Sequence, residues 1–281
     1  MRGRRFLASL PALLVTAGLF GGGLLLAVAQ SLGLWGDDGT SRFTLAAYRA
    51  LLTDRTFWQS LGLSLWFAGA ATLLAAGLGT ALALALRHTA ARSGLRLLLA
   101  ASLPVPHVVA ALVTVQLLSQ SGLISRLTHA AGLTTSPADF PALVFDPLAL
   151  GVLIELAAKE TPFIAVVALA ALTRLDPRTE EAARSLGADR TARLRVAVWP
   201  ALQPAVTAAA LLVFAFALSV YEVPLLLGPT APAPLSVTAY RAYASPDLAQ
   251  RPLGLAAGLL LALVSAGLLA AYLRVTGRRR A

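Results

Sequence analysis

Six runs of the chain are apolar for long enough to cross a lipid bilayer, and this constrains the fold more than any other feature. They cover roughly 6–34, 59–86, 95–118, 146–172, 201–227 and 253–274. A spanning helix needs ~20 predominantly apolar residues. In hydrocarbon every backbone N–H and C=O must be satisfied internally, which an α-helix achieves within one segment. The expected fold class is an all-α polytopic membrane protein with six transmembrane helices. The whole chain, 1–281, reads as one membrane domain, with no soluble appendage large enough to fold alone.

Composition agrees. Only 13% of residues are charged, 58% are apolar and the mean hydropathy is +0.76. A soluble domain usually carries about 25% charge, so an ordinary soluble fold is excluded. The net charge of +10 and the pI near 11.2 come almost entirely from Arg in short loops between apolar runs. That arrangement marks topology and offers no continuous basic face, so no nucleic-acid partner is expected. The absence of Cys excludes disulfides and thiol chemistry. Three scattered His suggest no metal site, and no cofactor is expected.

The Arg distribution orients the chain. With six spans, both termini lie on one side. One side then holds Arg2, Arg4, Arg5, Arg87, Arg92, Arg96, Arg174, Arg178, Arg184, Arg190, Arg193, Arg195, Arg274 and Arg278 to Arg280, sixteen in all. The other holds six: Arg42, Arg49, Arg55, Arg126, Arg241 and Arg251. The positive-inside rule places both termini in the cytoplasm. Ala27-Val28-Ala29 resembles a cleavage site, but the run from Phe6 to Ala29 is about twice a cleaved signal's apolar core. A retained helix is expected. Outside the membrane, 42–58 carries Phe43, Leu45, Tyr48, Phe57 and Trp58, the pattern of an interfacial anchor against membrane lipid, such as a short amphipathic helix. The Pro-rich stretch 228–252 reads as an outer loop.

The most informative segment is the loop 173–200, TRLDPRTEEAARSLGADRTARLRVAVWP. Asp176 is a good N-cap and Pro177 suits the first helical position. Glu180 and Glu181 fall in the early turns, where the helix dipole favours negative charge. Gly187 can end that helix in a left-handed conformation. Asp189 can cap a second helix over 190–199, and Pro200 marks its junction with the next span.

Here the chain resembles a known family. Glu181-Ala182-Ala183, three residues, Gly187, then twelve residues to Pro200 match the EAA signature of bacterial ABC importer permeases. Leu175-Asp176-Pro177 before it and Leu186-Gly187-Ala188 within it fit the same context. Ser219 to Pro224, followed by Leu225 to Gly228, looks like the fifth span of the polyamine, iron(III) and thiamine branch. The resemblance implies a type I importer permease fold with a cytoplasmic coupling helix-turn-helix. It also implies a non-catalytic role as the membrane-spanning subunit of an ATP-driven importer. Two copies of a separate ATPase, a second permease subunit (the same or a related chain) and a periplasmic solute-binding protein are the implied partners. In the family the first short helix docks on the ATPase. Small Ala182 and Ala183 would allow close approach, Leu186 an apolar contact, and Glu181 a pairing with a basic group. The chain has no phosphate-binding loop of its own, since its single Lys, Lys159, precedes Glu160.

Ionisable residues inside spans are costly and face a cavity or one another. Glu155, Lys159 and Glu160 lie in the fourth run. Glu155 and Lys159, spaced i,i+4, can neutralise each other, and Pro162 should kink the helix. The group is either a polar patch on the translocation path or an internal ion pair. Tyr221 and Glu222, before Pro224, face the pathway or bond a neighbouring helix. In the third run Pro104, Pro106, His107, Gln116 and Gln120 form a polar, kinked series, with His107 read first as a helix–helix hydrogen-bonding group. Gly21 to Gly23, Gly69, Gly77 and Gly79 suit close helix contacts. The competing function is a secondary transporter driven by an ion gradient through Glu155 and Glu222. It leaves the loop 173–200 unexplained.

Overall fold

The computed structural model describes residues 11, 13–35, 41–87 and 92–277. The start of the first predicted span and the Arg clusters at 2–5 and 278–280 lie outside the described residues. Among those described, all regular structure is helical. Five helical stretches are long and apolar enough to cross a membrane: Leu13–Ser31, Arg55–Leu86, His107–Ala130 (interrupted at 119–122), Arg190–Ser219 and Leu248–Ala271. A sixth, Leu150–Leu172, is continuous and carries Glu155, Lys159 and Glu160 in an otherwise apolar run.

In chain order the helices are α1 (Leu13–Ser31), α2 (Ala46–Thr53), α3 (Arg55–Leu86), α4 (Arg92–Ser102), α5 (His107–Leu118), α6 (Leu123–Ala130), α7 (Leu150–Leu172), α8 (Pro177–Ser185), α9 (Arg190–Ser219), α10 (Glu222–Leu227), α11 (Leu235–Tyr243) and α12 (Arg251–Gly277). They fall into two compact units, one of Met1–Leu61 with Leu235–Val264 and one of Gly62–Pro234 with Ser265–Ala281.

In the first unit α1 is exposed along most of its length, Ser31 being buried at its end. The Ser31 hydroxyl lies 2.9 Å from the Tyr48 hydroxyl, tying α1 to the short helix α2. That helix is the one expected within 42–58. The stretch 228–252, expected as a loop, contains the two-turn helix α11. Gly254 on α12 lets the two helices touch, because a Cβ there would lie 2.6 Å from the Ala239 carbonyl oxygen.

In the second unit α3, α7 and α9 share a core of small and branched residues. Ala75, Ala83 and Leu86 meet Ile164, Ala168 and Leu169, and both sets meet Val198, Leu202, Val206 and Val213. Gly79 makes this approach possible, since a Cβ there would stand 2.8 Å from the Thr161 carbonyl oxygen and 2.9 Å from Ile164 Cβ. Of the other glycines expected at helix contacts, Gly21, Gly22, Gly23, Gly69 and Gly77 have nothing within 4 Å of that position. They face open space, so the expectation holds only at Gly79.

Two predicted spans are broken. The run 95–118 is not one helix, because Pro104 and Pro106 supply no backbone N–H and disfavour the helical region for the residue before each. Pro106 is extended (φ −61°, ψ 142°), α4 ends at Ser102 and α5 begins at His107. The run 201–227 breaks at Val220, which is also extended, so Tyr221 lies between α9 and α10 and Glu222 at the start of α10, not inside one continuous helix.

Candidate functional site

The loop between α7 and α9 has much of the predicted local structure. Asp176 caps α8, accepting from the Arg178 N–H at 3.0 Å, with Pro177 in the first turn. Gly187 has φ +81°, the left-handed conformation that reverses the chain. Asp189 accepts from the Ala192 N–H at 2.6 Å. The second helix differs from expectation. It does not stop at a junction at Pro200 but forms the first turn of α9, which runs on through a π turn, Leu194–Val198. Pro200 has no N–H to donate, and the wider turn just before it re-registers the helix without a break.

The loop has two faces. Glu180, Ala183 and Ala188 are half-buried, whereas Glu181, Ala182 and Ser185 are exposed. Leu186, at the apex, is 89% exposed. Beneath the loop, Leu175 and Leu194 pack against the α3–α7–α9 core. Sequence reasoning missed the ionic tie on the inner face. Glu180 accepts from the Arg87 guanidinium at 3.0 and 3.3 Å through both carboxylate oxygens. The two residues are 93 apart in sequence. Each is plausible alone, but nothing local to either one announces the pairing.

The second cluster lies at the α5–α7 contact. The predicted pairing of Glu155 with Lys159 does not form. The break at Pro104 and Pro106 frees the Leu103 carbonyl, and Lys159 Nζ donates to it at 3.2 Å. Glu155, whose side chain is only 1% exposed, faces His107 Nδ1 at 3.5 Å. Glu160 faces Nε2 of the same ring at 3.4 Å. The ring also packs on Phe216 of α9, with centroids 4.6 Å apart. His107 therefore touches three helices and brings together two carboxylates the sequence left separate, but its Nδ1 and both Glu155 oxygens have no hydrogen-bond partner, so the helix–helix hydrogen bond expected of it is not formed with Glu155. An apolar groove of about 420 Å³ between α5 and α7 has Glu155 and Lys159 in its wall, beside Val105, Val109 and Ile154. Glu222 is exposed in the first turn of α10.

The described residues thus combine five helical stretches long and apolar enough to cross a membrane with an exposed Glu181-Ala182 surface and a glycine reversal at Gly187. Residues 75–280 match the family described as binding-protein-dependent transport system inner membrane component. The chain belongs to this family. It is the permease subunit of an ABC importer, an integral membrane protein. Among solved structures it resembles a bacterial ABC transporter involved in the import of the acidic polysaccharide alginate (18% identity, TM-score 0.76, 98% of this chain and 94% of that one). It also resembles a bacterial alginate ABC transporter in complex with an alginate pentasaccharide-bound periplasmic protein (20% identity, TM-score 0.75, with the same coverage). At these identities the likeness establishes the fold of the permease, an all-helical importer fold. No curated protein matches the chain.

Proposed function

We propose that the permease forms half of a solute path through a bacterial inner membrane, with both termini cytoplasmic, as one domain spanning 1–281. It pairs with a second permease subunit, the same or a related chain. A periplasmic binding protein delivers the solute, and two copies of a separate ATPase drive the cycle by pulling on the loop 177–199 and tilting the spans. The observation that carries this is the exposure of Leu186, 89%, at the apex of a loop whose ends are anchored in the core. A large apolar side chain held out just past a capped helix is suited to a pocket on a partner. Glu181, Ala182 and Ala183 supply the close-approach surface beside it, and Gly187, Ala188 and Pro200 shape the reversal and the return into α9.

We place the solute path along Glu155, Lys159, Glu160, Tyr221 and Glu222. Three carboxylates against one ammonium favour a cationic or metal-containing solute such as a polyamine, thiamine or iron(III), in keeping with the branch that Ser219 to Pro224 resembles.

The test is a pull-down of the tagged permease from detergent-solubilised membranes, wild type beside Gly187→Asp. Recovery of a P-loop ATPase with wild type and its loss with the variant is the expected result. If folded, inserted wild type brings down no ATPase, the coupling role fails. Transport driven by an ion gradient through Glu155 and Glu222 then becomes the reading to pursue.

A further inference from the structure

The loop 173–193 is covalently continuous with two of the three core helices. Its first residues leave α7, and its last run through the π turn into α9. Any displacement of α8 reaches those two helices through the chain itself. The third core helix, α3, has no such connection. It ends at Leu86, and Leu86 and Ala83 are buried among α7 and α9 residues. Arg87, the next residue, holds Glu180 in the first turn of α8 with two hydrogen bonds. Among the described residues this is the ion pair that ties the loop to a helix it does not continue.

Its surroundings suit it to carrying load. Both side chains are largely sheltered, at 12% and 22% exposed. A bidentate guanidinium–carboxylate pair is directional in a way a single contact is not. Glu180 is half-buried on α8 whereas Leu186 is exposed just past its end, so a partner holding Leu186 would leave the pair intact.

We infer that Arg87 and Glu180 form a strut that makes α3 move with the coupling helix α8. They are positioning residues for energy coupling and do not touch the solute. This rests on the proposed docking of the loop on an ATPase. Without the strut, α8 would still dock and would still drag α7 and α9, but α3 would lag behind.

The chain has no Cys, so introduced cysteines are unique labelling sites. Spin labels at Leu78→Cys on α3 and Val196→Cys at the root of α9, both exposed in the chain, report the separation of these helices in the permease purified with its co-purifying ATPase. With the native pair α3 follows α9, so we expect ATP to leave this separation nearly unchanged, and to change it in Arg87→Ala and in Glu180→Ala, where α3 lags. The wild-type constancy should return in the charge swap Arg87→Glu with Glu180→Arg, while ATPase recovery stays at the wild-type level throughout. A separation that stays as constant in both single variants as in wild type overturns the strut, as does a folded swap that still shows the change. So does a wild-type complex in which ATP changes the separation as much as it does in the single variants. Failure of the wild type to recover any ATPase is a different outcome, because it removes the docking on which the inference rests.

Discussion

His107 and Glu155 face each other at 3.5 Å across the contact between α5 and α7. A carboxylate only 1% exposed pays a desolvation cost that a nearby partner must offset. His107 is the nearest such group, in close contact without a hydrogen bond to Glu155, and the carboxylate of Glu160 faces its other ring nitrogen at 3.4 Å. Removing the ring should therefore cost more than removing its packing. We expect His107→Ala to destabilise the solubilised permease by about 3–5 kcal/mol, read as a fall in thermal midpoint. Adding Glu155→Leu should recover part of the loss by removing the stranded charge. Equal stability of the single and double variants would show that Glu155 does not depend on His107.

Gly79 is the close-contact glycine of the core. A Cβ there meets backbone, the Thr161 carbonyl oxygen at 2.8 Å and the Ala165 nitrogen at 3.0 Å, and neither can rotate away. Gly79→Ala should force α3 and α7 apart and cost about 1–3 kcal/mol by overpacking. Gly77→Ala, with open space at the same position, should stay within about 0.5 kcal/mol. Thermal unfolding of the two variants side by side separates steric contact from the general effect of replacing glycine.

Leu186 gives the opposite pattern. Its exposure means that Leu186→Asp removes almost no packing within the chain, so the thermal midpoint should stay where it is. ATPase recovery in the pull-down should nevertheless be lost. A variant that keeps its partner would move the docking contact away from the apex of the loop, toward Glu181 and Ala182.

How far the sequence reaches can be judged from these same residues. Spans and caps are legible because they depend on local chemistry: apolar length for α3 and α7, Asp176 with Pro177 for α8, and the left-handed need at Gly187. The two broken spans show where local chemistry was underweighted. Two prolines two residues apart divided 95–118, although hydropathy runs straight through them. Pairings were legible only where helix spacing suggested them, and there the suggestion misled. Glu155 and Lys159 share a helical face, but Lys159 finds a carbonyl that exists only because a different helix breaks. Arg87 with Glu180 and His107 with two carboxylates are tertiary contacts. They depend on how α3, α5 and α7 pack, which one-dimensional periodicity does not encode.

The turn before α7 offers a test by pH, outside the membrane-spanning segments. Asp139 Oδ2 accepts from the Thr135 hydroxyl at 2.7 Å and from the Thr135 and Ser136 N–H groups at 2.8 Å each. These donors, the Thr135 hydroxyl first among them, favour the charged form and hold the carboxyl at about 2, below its ordinary 3.8. A depressed acid stabilises the fold when ionised. Its contribution is therefore complete above pH 3.8 and is lost as pH falls from there through about 2. Because Asp139 is exposed, the loss should loosen the 135–140 turn and leave the helices unaffected. In permease labelled with carbon-13, the Asp139 carboxyl resonance should titrate near 2, and Thr135→Val should raise the midpoint toward 3.8 by removing the hydroxyl donor. A wild-type midpoint already near 3.8 would mean that the three hydrogen bonds do not persist in solution.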